Sequence, residues 1–305
     1  MVHDATPWGG GPIRGDQAGV APEWFQNALR WPGKSRYFEA DGARLHLLTW
    51  NWESDDGAAK PPVLLVHGFM AHAHWWDTIA PWLARDFRVA ALDLSGMGDS
   101  DARAAYSGHG FARDVLAAIH HLGLAPATVI GHSYGGSRTL LASAMAPGAI
   151  AHAIVVDSFY NFHGEDPPGS PSPRPVRIFD SEDSALARYR LVPAQHSVQP
   201  WIVENVARHS IKRIPQGWTW KFDPAMVMME EADGASILGQ VDARVDYVHA
   251  ECSSLIDAAR ATRIMQALPQ DRAPRFWSMK GLDHHVPLQD PVALRELLHF
   301  LLLQS

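Results

Sequence analysis

The sequence predicts an α/β fold with a mostly parallel central sheet, helices on both faces and an inserted helical lid. Three observations support this class. From about Pro61 onward, short apolar runs alternate with longer segments of helical periodicity, a hairpin signal precedes this array, and one Pro-rich stretch interrupts it. Strands buried on both faces are continuously apolar rather than alternating, which is the pattern of a parallel sheet between helices.

The hairpin is the first element with a clear signal. Residues 36–40 and 44–50 are rich in apolar and β-favouring side chains and flank Asp41 and Gly42. An Asp-Gly pair favours the tight turn that joins antiparallel strands. We therefore expect an antiparallel edge to the sheet, preceded by a flexible arm over residues 1–21, which are rich in Gly and Pro and lack periodicity.

The apolar runs are expected to be buried strands, and the stripes between them to be the covering helices. The runs are residues 63–66, 89–94, 128–131, 153–157, 245–250 and 276–279. Two helical stripes are Phe111, Val115, Ile119 and Leu122, and Val292, Leu294, Leu297, Leu298 and Leu301. Gly123 is placed to end the first helix, and Pro291 is placed in the first turn of the second, where proline is tolerated.

The alternation stops over residues 160–239, which we interpret as an insertion between two parts of one core, residues 22–159 and 240–305. The insertion begins with a Pro-rich stretch and continues into two helical segments, residues 184–191 and 202–211. Its aromatic side chains either pack it onto the core or line a pocket beneath it. They include Tyr189, Trp201, Trp218 and Trp220.

Composition favours a globular protein, and the partner that we expect is a small-molecule substrate. The chain is 47% hydrophobic and 19% charged, and its net charge of -7 comes without a block of Lys or Arg, so nucleic acid is not expected as a partner. The single cysteine, Cys252, excludes an intramolecular disulfide. With neither a secretory signal nor an apolar stretch of about 20 residues, we expect a cytoplasmic monomer or homodimer with no membrane span.

A candidate nucleophile lies in the segment Gly-His-Ser-Tyr-Gly-Gly at residues 131–136, between a predicted strand and a predicted helix. A G-x-S-x-G segment in that context forms a sharp turn that exposes the serine hydroxyl, here that of Ser133. Side chains at Gly131 or Gly135 would collide in so tight a turn. The alternative is an ordinary Gly-rich turn with a solvent-facing serine.

A second segment can supply backbone donors to the same site. His67-Gly68-Phe69-Met70 follows the first buried strand. Acyl transfer passes through a tetrahedral oxyanion, which preorganised N–H groups stabilise. We predict that the N–H groups of Phe69 and Tyr134 form this oxyanion hole and that His67 makes a structural hydrogen bond behind it.

The order of these motifs resembles the α/β-hydrolase superfamily. The motifs are His-Gly-Phe, then Asp93-Leu-Ser-Gly-Met-Gly-Asp-Ser100, then Gly-His-Ser-Tyr-Gly-Gly, then a late histidine. The resemblance covers roughly residue 35 to the C-terminus except the insertion, and it implies a nucleophile–acid–histidine order along the chain. It also implies that Asp93 forms a turn after the family's fourth strand and has no catalytic role.

The general base is expected in the loop Gly281-Leu-Asp-His-His-Val-Pro287. Histidine suits the role because its ordinary pKa, near 6.5, lets it accept the serine proton and return it to the leaving group. His284 and His285 compete. Counted back from Pro291, His284 has the family's usual place.

The sequence leaves several candidates for the carboxylate that orients the histidine. Where most of the family has Gly-x-x-Asp, this chain has Ala250-Glu-Cys-Ser-Ser254, with serine in place of the aspartate. Some family members carry the acid one strand earlier, and Asp157 is at the end of that strand. We predict Asp157, with Glu251 as the main alternative and Asp257 and Asp283 behind it.

Residues around these motifs give weaker signals. His72, His74, Trp75 and Trp76 follow the His-Gly-Phe motif, but the third histidine and the aspartate of a dinuclear zinc motif are missing, so we expect packing, no metal and no cofactor. The predicted substrate pocket comprises Met70, Trp75, Tyr160, Trp201 and Val286. Four cations of the insertion, Arg188, Arg190, Arg208 and Lys221, either meet an anionic substrate or form ion pairs and a solvated face.

The function predicted from these residues is the hydrolysis of carboxylic esters through an acyl-enzyme formed on Ser133. A serine at the elbow disfavours the family's epoxide hydrolases and dehalogenases, which the resemblance associates with an aspartate there. Thioesterase, lactonase, amidase, carbon–carbon hydrolase and acyltransferase activities share the same triad. A lyase or cofactor-free oxygenase without acylation, and a non-catalytic binding protein, are the alternatives from other classes.

Overall fold

The central sheet of the computed structural model is nine-stranded and mostly parallel. The structure describes residues 2–4, 20–53, 59–163, 165, 175–195, 197–227 and 233–304. The strands are β1 (Val2–Asp4), β2 (Lys34–Ala40), β3 (Ala43–Trp50), β4 (Pro62–Val66), β5 (Arg88–Asp93), β6 (Ala127–His132), β7 (Ile150–Val156), β8 (Ile211–Ile214), β9 (Gly217–Trp220), β10 (Arg244–Ala250) and β11 (Arg275–Met279). The sheet order is β1-β11-β10-β7-β6-β4-β5-β3-β2, and β8 and β9 form a separate hairpin.

The antiparallel edge has the predicted turn. β2 pairs antiparallel with β3, and β3 pairs antiparallel with β5, whereas β4, β5, β6, β7, β10 and β11 pair in parallel. Asp41 and Gly42 have φ of 47° and 74°, as a type I′ turn requires at both central positions. The hairpin prediction is therefore confirmed.

The helices lie between the strands, as the alternation of the sequence predicts. The α-helices are α1 (Glu23–Leu29), α2 (Ala80–Leu83), α3 (Gly108–His121), α4 (Tyr134–Met145), α5 (Glu182–Leu186), α6 (Pro200–His209), α7 (Gly234–Leu238), α8 (Ala258–Ala267), α9 (Val286–Gln289) and α10 (Pro291–Leu302), and 3₁₀ turns span Ala73–Trp76 and Gln270–Arg272. None of the described helices combines the length and apolar character that a membrane span requires.

Two hydrophobic cores lie on opposite faces of the sheet, because side chains alternate along each strand. In β4, Leu64 and Val66 belong to the core that contains residues of α3, α4 and α8, whereas Val63 and Leu65 belong to the core that contains residues of α2 and α10. All four side chains are at most 1% exposed. Burial on both faces explains why the strand is apolar at every position.

The described part of the insertion contains a hairpin as well as helices. α5 begins earlier than predicted because the Ser181 hydroxyl accepts a hydrogen bond from the N–H of Ser184, and it ends at Leu186 rather than at residue 191. α6 ends at His209, and the chain then enters β8 instead of continuing the predicted helix to residue 211. The sequence reasoning missed the β8–β9 hairpin.

The boundaries of the insertion and of the N-terminal arm stay predictions. Within the arm, β1 pairs in parallel with β11 at the edge of the sheet. Residues 1 and 5–19 lie outside the described residues.

Candidate active site

Ser133 lies on the sharp turn between β6 and α4. Its φ of 53° and ψ of -123° are unusual for a non-glycine residue, and such conformations cost about 1–3 kcal/mol each. Cβ atoms at Gly131 or Gly135 would collide with backbone on the facing side of the turn, at Gly136 and Val66 respectively. The sequence therefore permits a turn that points the serine side chain out of the sheet.

His284 meets Ser133 directly. It follows β11 and precedes α9, and its Nε2 lies 2.9 Å from Oγ of Ser133. Its Nδ1 lies 2.8 Å from Oδ2 of Asp157, the residue that follows β7. These residues come together because the carboxyl ends of parallel strands lie at one edge of the sheet.

Asp157 is fully buried and accepts three hydrogen bonds. Oδ2 accepts from His284 and from the hydroxyl of Ser253 at 2.6 Å, and Oδ1 accepts from the N–H of Ala250 at 3.0 Å. An ionised carboxylate cannot donate, so Nδ1 of His284 carries the proton and Nε2 has a free lone pair toward Ser133.

Ser253 is a member of the site that sequence reasoning did not assign. It lies in the segment where most of the family has an aspartate, and it donates to the aspartate one strand earlier. The sequence did contain an indication of this role, because a serine stands at the position where the aspartate is absent. A hydroxyl at that position can donate a hydrogen bond to the carboxylate one strand earlier.

The other carboxylates proposed for the triad lie elsewhere. Oε2 of Glu251 accepts from the N–H of Gly281 at 2.9 Å, and Glu251 is exposed. Asp257 caps α8 by accepting from the N–H of Arg260. Asp283 lies 3.3 Å from the side-chain amide of Gln289.

The predicted oxyanion-hole segment lies against the nucleophile. A Cβ built on Gly68 would be 3.6 Å from Oγ of Ser133, so the backbone leading into Phe69 adjoins that hydroxyl. Tyr134 is the first residue of α4, where backbone N–H groups and the helix dipole favour negative charge. The Phe69 and Tyr134 rings meet edge to face at 5.4 Å.

His67 and Asp93 support this segment from behind. Nε2 of His67 accepts from the N–H of Leu94 at 3.1 Å, so its Nδ1 carries the proton and donates to the carbonyl of Gly68 at 2.7 Å. Burial lowers the pKa of His67, opposed by the charge of Asp93, and the ring stays neutral.

The carboxylate of Asp93 accepts hydrogen bonds from the N–H of Ala73, the N–H of Asp99 and the ring of His46. Burial opposes its ionisation, but these hydrogen bonds, led by that of His46, hold its pKa well below the usual range. These contacts fit the predicted structural turn at this position.

The neighbouring histidines are buried and neutral. The ring N–H of His132 donates to the carbonyl of His284 at 2.9 Å and fixes the backbone beside the base. Burial, followed by the charge of His284, lowers the pKa of His132 well below 6.5 and that of His285 to about 3. His285 packs edge to face on Trp75 at 5.1 Å.

A cavity of about 240 Å³ adjoins the site. Core residues Phe69, Met70, Trp75 and His285 contribute to its lining. His72 also lines the cavity, and the insertion contributes Arg177, Arg188, Tyr189, Arg190, Leu191, Val192, Ser210, Trp220, Lys221 and Phe222. Arg177 was not singled out from sequence, because an isolated arginine in irregular chain gives no signal there.

The residues predicted to form the pocket separate into two sets. Met70 and Trp75 line the cavity. Tyr160 is 2% exposed and donates from its hydroxyl to the carbonyl of Ser137, and Val286 is fully buried in the core beside α10. Trp201 packs on Trp24 and Phe25, with ring centroids 5.5 and 4.5 Å apart.

The histidines after the His-Gly-Phe motif contact the insertion. His72 lies 2.8 Å from the hydroxyl of Ser210, and the ring of His74 stacks on His209 at 3.5 Å with 10° between the planes. Donor atoms of His74, Asp77 and His209 lie within 4.8 Å of one another. Because an imidazole binds an ion in its own plane, two parallel stacked rings cannot share one ion as they stand.

The class of protein follows from the comparisons. Residues 61–197 match the family model described as the alpha/beta hydrolase fold. The structure is similar to the thioesterase domain from the curacin biosynthetic pathway, with a TM-score of 0.70 over 87% of this chain and 98% of that one, at 21% identity. With the sheet order, these findings show that the chain has the α/β-hydrolase fold.

Particular relatives are similar over part of their length. Over 129 residues the chain is 36% identical to a pimeloyl-[acyl-carrier protein] methyl ester esterase of Methylococcus capsulatus, covering 42% of this chain and 48% of the relative. Over 98 residues it is 35% identical to a soluble epoxide hydrolase of Corynebacterium, covering 32% of each. The chain thus spans less than half the length of these curated relatives.

Proposed function

We propose that the chain is a serine hydrolase that cleaves carboxylic esters through an acyl-enzyme. The observation that supports this most is the continuous hydrogen-bonded series from Asp157 through His284 to Ser133, with distances of 2.8 and 2.9 Å. A surface serine at a Gly-rich turn would have neither a neutral imidazole acceptor nor a buried carboxylate behind it.

The proposed mechanism gives each group a role. Nε2 of His284 accepts the proton as Oγ of Ser133 attacks the ester carbonyl, and Asp157 stabilises the imidazolium that forms. His284 then gives the proton to the leaving alcohol, and water attacks the acyl-enzyme by the same route in reverse. The N–H groups of Phe69 and Tyr134 bind the oxyanion, and removing one such donor costs about 3 kcal/mol.

The experiment is a burst assay with a p-nitrophenyl ester series. Wild-type protein is expected to release nitrophenol in a burst equal to the enzyme concentration, and Ser133→Ala to abolish it. A fluorophosphonate should add its mass to the wild type and leave Ser133→Ala unlabelled. Glu251→Gln serves as a control for the alternative acid.

Two results would contradict the proposal. Turnover by a protein whose Ser133 resists the fluorophosphonate would favour a lyase or cofactor-free oxygenase. Ligand binding without turnover in the wild type would favour a binding protein. Thioesters, lactones and amides tested alongside the esters separate the activities that share the triad.

A further inference from the structure

We propose that the substrate carries an anionic group, a carboxylate in the simplest case, which Arg177, Arg188 and Arg190 bind in the wall of the cavity. This inference rests on the proposed ester hydrolysis, since it names the substrate class of the same site. It is based on charge, on ion-pair partners and on the position of the arginines in the cavity wall.

The charge of the wall has one sign. The described residues that line the cavity include four cationic side chains, Arg177, Arg188, Arg190 and Lys221, and no aspartate or glutamate. A concave wall of one sign raises the local concentration of oppositely charged molecules. An anionic substrate therefore gains from entering, and a cationic one does not.

The partners of these cations distinguish a structural role from a free charge. Lys221 forms an ion pair with Asp99 at 2.7 Å, and Arg208, which is outside the cavity wall, pairs with Glu204 at 2.8 Å and with Glu182 at 3.3 Å. These two cations therefore already have carboxylate partners, which is the ion-pairing role that the sequence also allowed.

The three wall arginines differ from that pattern. Arg190 donates to the backbone carbonyls of Ala187 and Tyr189, which carry no formal negative charge to offset its own. Arg177 lies 5.7 Å from the ring of Phe179, and within the described part of the chain no carboxylate forms an ion pair with it, with Arg188 or with Arg190. Guanidinium groups bind carboxylates in a bidentate way, so these are suited to an anionic ligand.

The cavity that contains the arginines is also lined by residues next to the catalytic segments. Phe69 and His285 line the cavity. His285 follows His284, which hydrogen-bonds to Ser133, and Phe69 follows Gly68, where an added Cβ would lie 3.6 Å from Oγ of Ser133. The arginines come from the insertion, and Trp75 and Leu191 are among the apolar residues of the same cavity. A molecule that spans the cavity places an ester at Ser133, an apolar chain across the middle and an anion at the arginines.

The kinetic test compares monomethyl and dimethyl esters of the dicarboxylic acids from succinic to suberic, with acid release followed by pH-stat. Wild-type protein should prefer at least one monoester over its neutral diester in kcat/KM. The variant Arg177→Gln/Arg188→Gln/Arg190→Gln should lower kcat/KM for that monoester by about tenfold and for the diester by less than about twofold. Arg208→Gln is the matched control and should change neither.

Salt provides an independent readout. Because the arginines are exposed, raising ionic strength from about 0.05 M to about 0.5 M should reduce kcat/KM for the monoester and leave the diester unchanged. A diester preference at every chain length, or an equal loss for both esters in the triple variant, would overturn the proposal.

A binding experiment separates this inference from the proposed function. Ser133→Ala protein is titrated calorimetrically with the free dicarboxylates and with the corresponding uncharged diamides. Binding of a dicarboxylate at least about tenfold tighter than of its diamide, lost in the arginine variant, supports the anion site even where no ester is turned over. Equal affinity, or no binding by any dicarboxylate, overturns it, while failure of Ser133 to react with a fluorophosphonate overturns only the acyl-enzyme.

Discussion

Replacing Asp157 by asparagine tests which carboxylate orients the base. In the structure, Oδ1 of Asp157 accepts the N–H of Ala250, and Oδ2 accepts from His284 and Ser253. An asparagine that keeps its oxygen toward Ala250 presents its NH₂ group to Nδ1 of His284. The imidazole must then accept at Nδ1 and carry its proton on Nε2, where it can no longer accept the proton of Ser133.

The magnitude follows from this change of tautomer. Loss of the correct tautomer in a serine triad lowers kcat about 10⁴-fold, equivalent to about 5.5 kcal/mol of transition-state stabilisation. KM should change little, because Asp157 is fully buried and does not line the cavity. The assay is the steady-state hydrolysis of a p-nitrophenyl ester by Asp157→Asn.

Glu251→Gln is the matched comparison, since Glu251 is the alternative acid and hydrogen-bonds only to the backbone of Gly281 among the contacts described for its side chain. It should retain activity within about twofold of wild type. A large loss in Glu251→Gln together with near-normal activity in Asp157→Asn would refute the assignment of the acid.

Three further changes test the supporting structure. Ser253→Ala should lower kcat about tenfold with KM unchanged, because it removes one of three hydrogen-bond donors to Asp157. Ser253→Thr keeps a hydroxyl and should restore part of the lost kcat. A change in KM alone would contradict this positioning role. Gly135→Ala should lower the free energy of unfolding, measured in urea, by at least about 1–3 kcal/mol, because its Cβ would meet the carbonyls of Val66 and His67. Gly239→Ala is the control and should be nearly neutral, because Gly239 has a φ of -65° and an added Cβ would make only ordinary contacts. Burial, reinforced by His74 and opposed by Asp77, lowers the pKa of His209 to about 4, so the unfolded chain binds the proton first as pH falls from about 6.5. The contribution of His209 to stability is therefore fully present above pH 6.5 and is lost progressively as the pH falls to about 4. Over this range the free energy of unfolding in urea should fall less steeply with decreasing pH for His209→Gln than for wild type. Identical pH dependence in the two proteins would exclude this contribution.

The elements that sequence predicted well are those whose signal is local. The apolar runs became parallel strands because burial on both faces requires every position to be apolar, as in β4. The Asp41-Gly42 pair specified its turn through positive φ alone. The β8–β9 hairpin of the insertion was missed because its pairing gives a weak pattern in two four-residue strands.

In the candidate site, too, the features with a local sequence signal were predicted and those that depend on distant contacts were left open or missed. The G-x-S-x-G segment located Ser133 from sequence, since its glycines are required by contacts within a few residues of the turn and with the adjacent strand. The sequence left the acid open among Asp157, Glu251, Asp257 and Asp283. The hydrogen bond from Nδ1 of His284 favours Asp157 for that place.

What the amino-acid sequence determined by itself was the succession of strands and helices, the elbow at Ser133 and the loop that carries His284, because each depends on side chains near in the chain. Only the tertiary structure decided that Ser253 donates to Asp157 and that three arginines of the insertion share a cavity with Met70 and Trp75. These contacts join segments separated by long stretches of chain, and their partners are selected by the packing of the sheet and insertion rather than by any local preference.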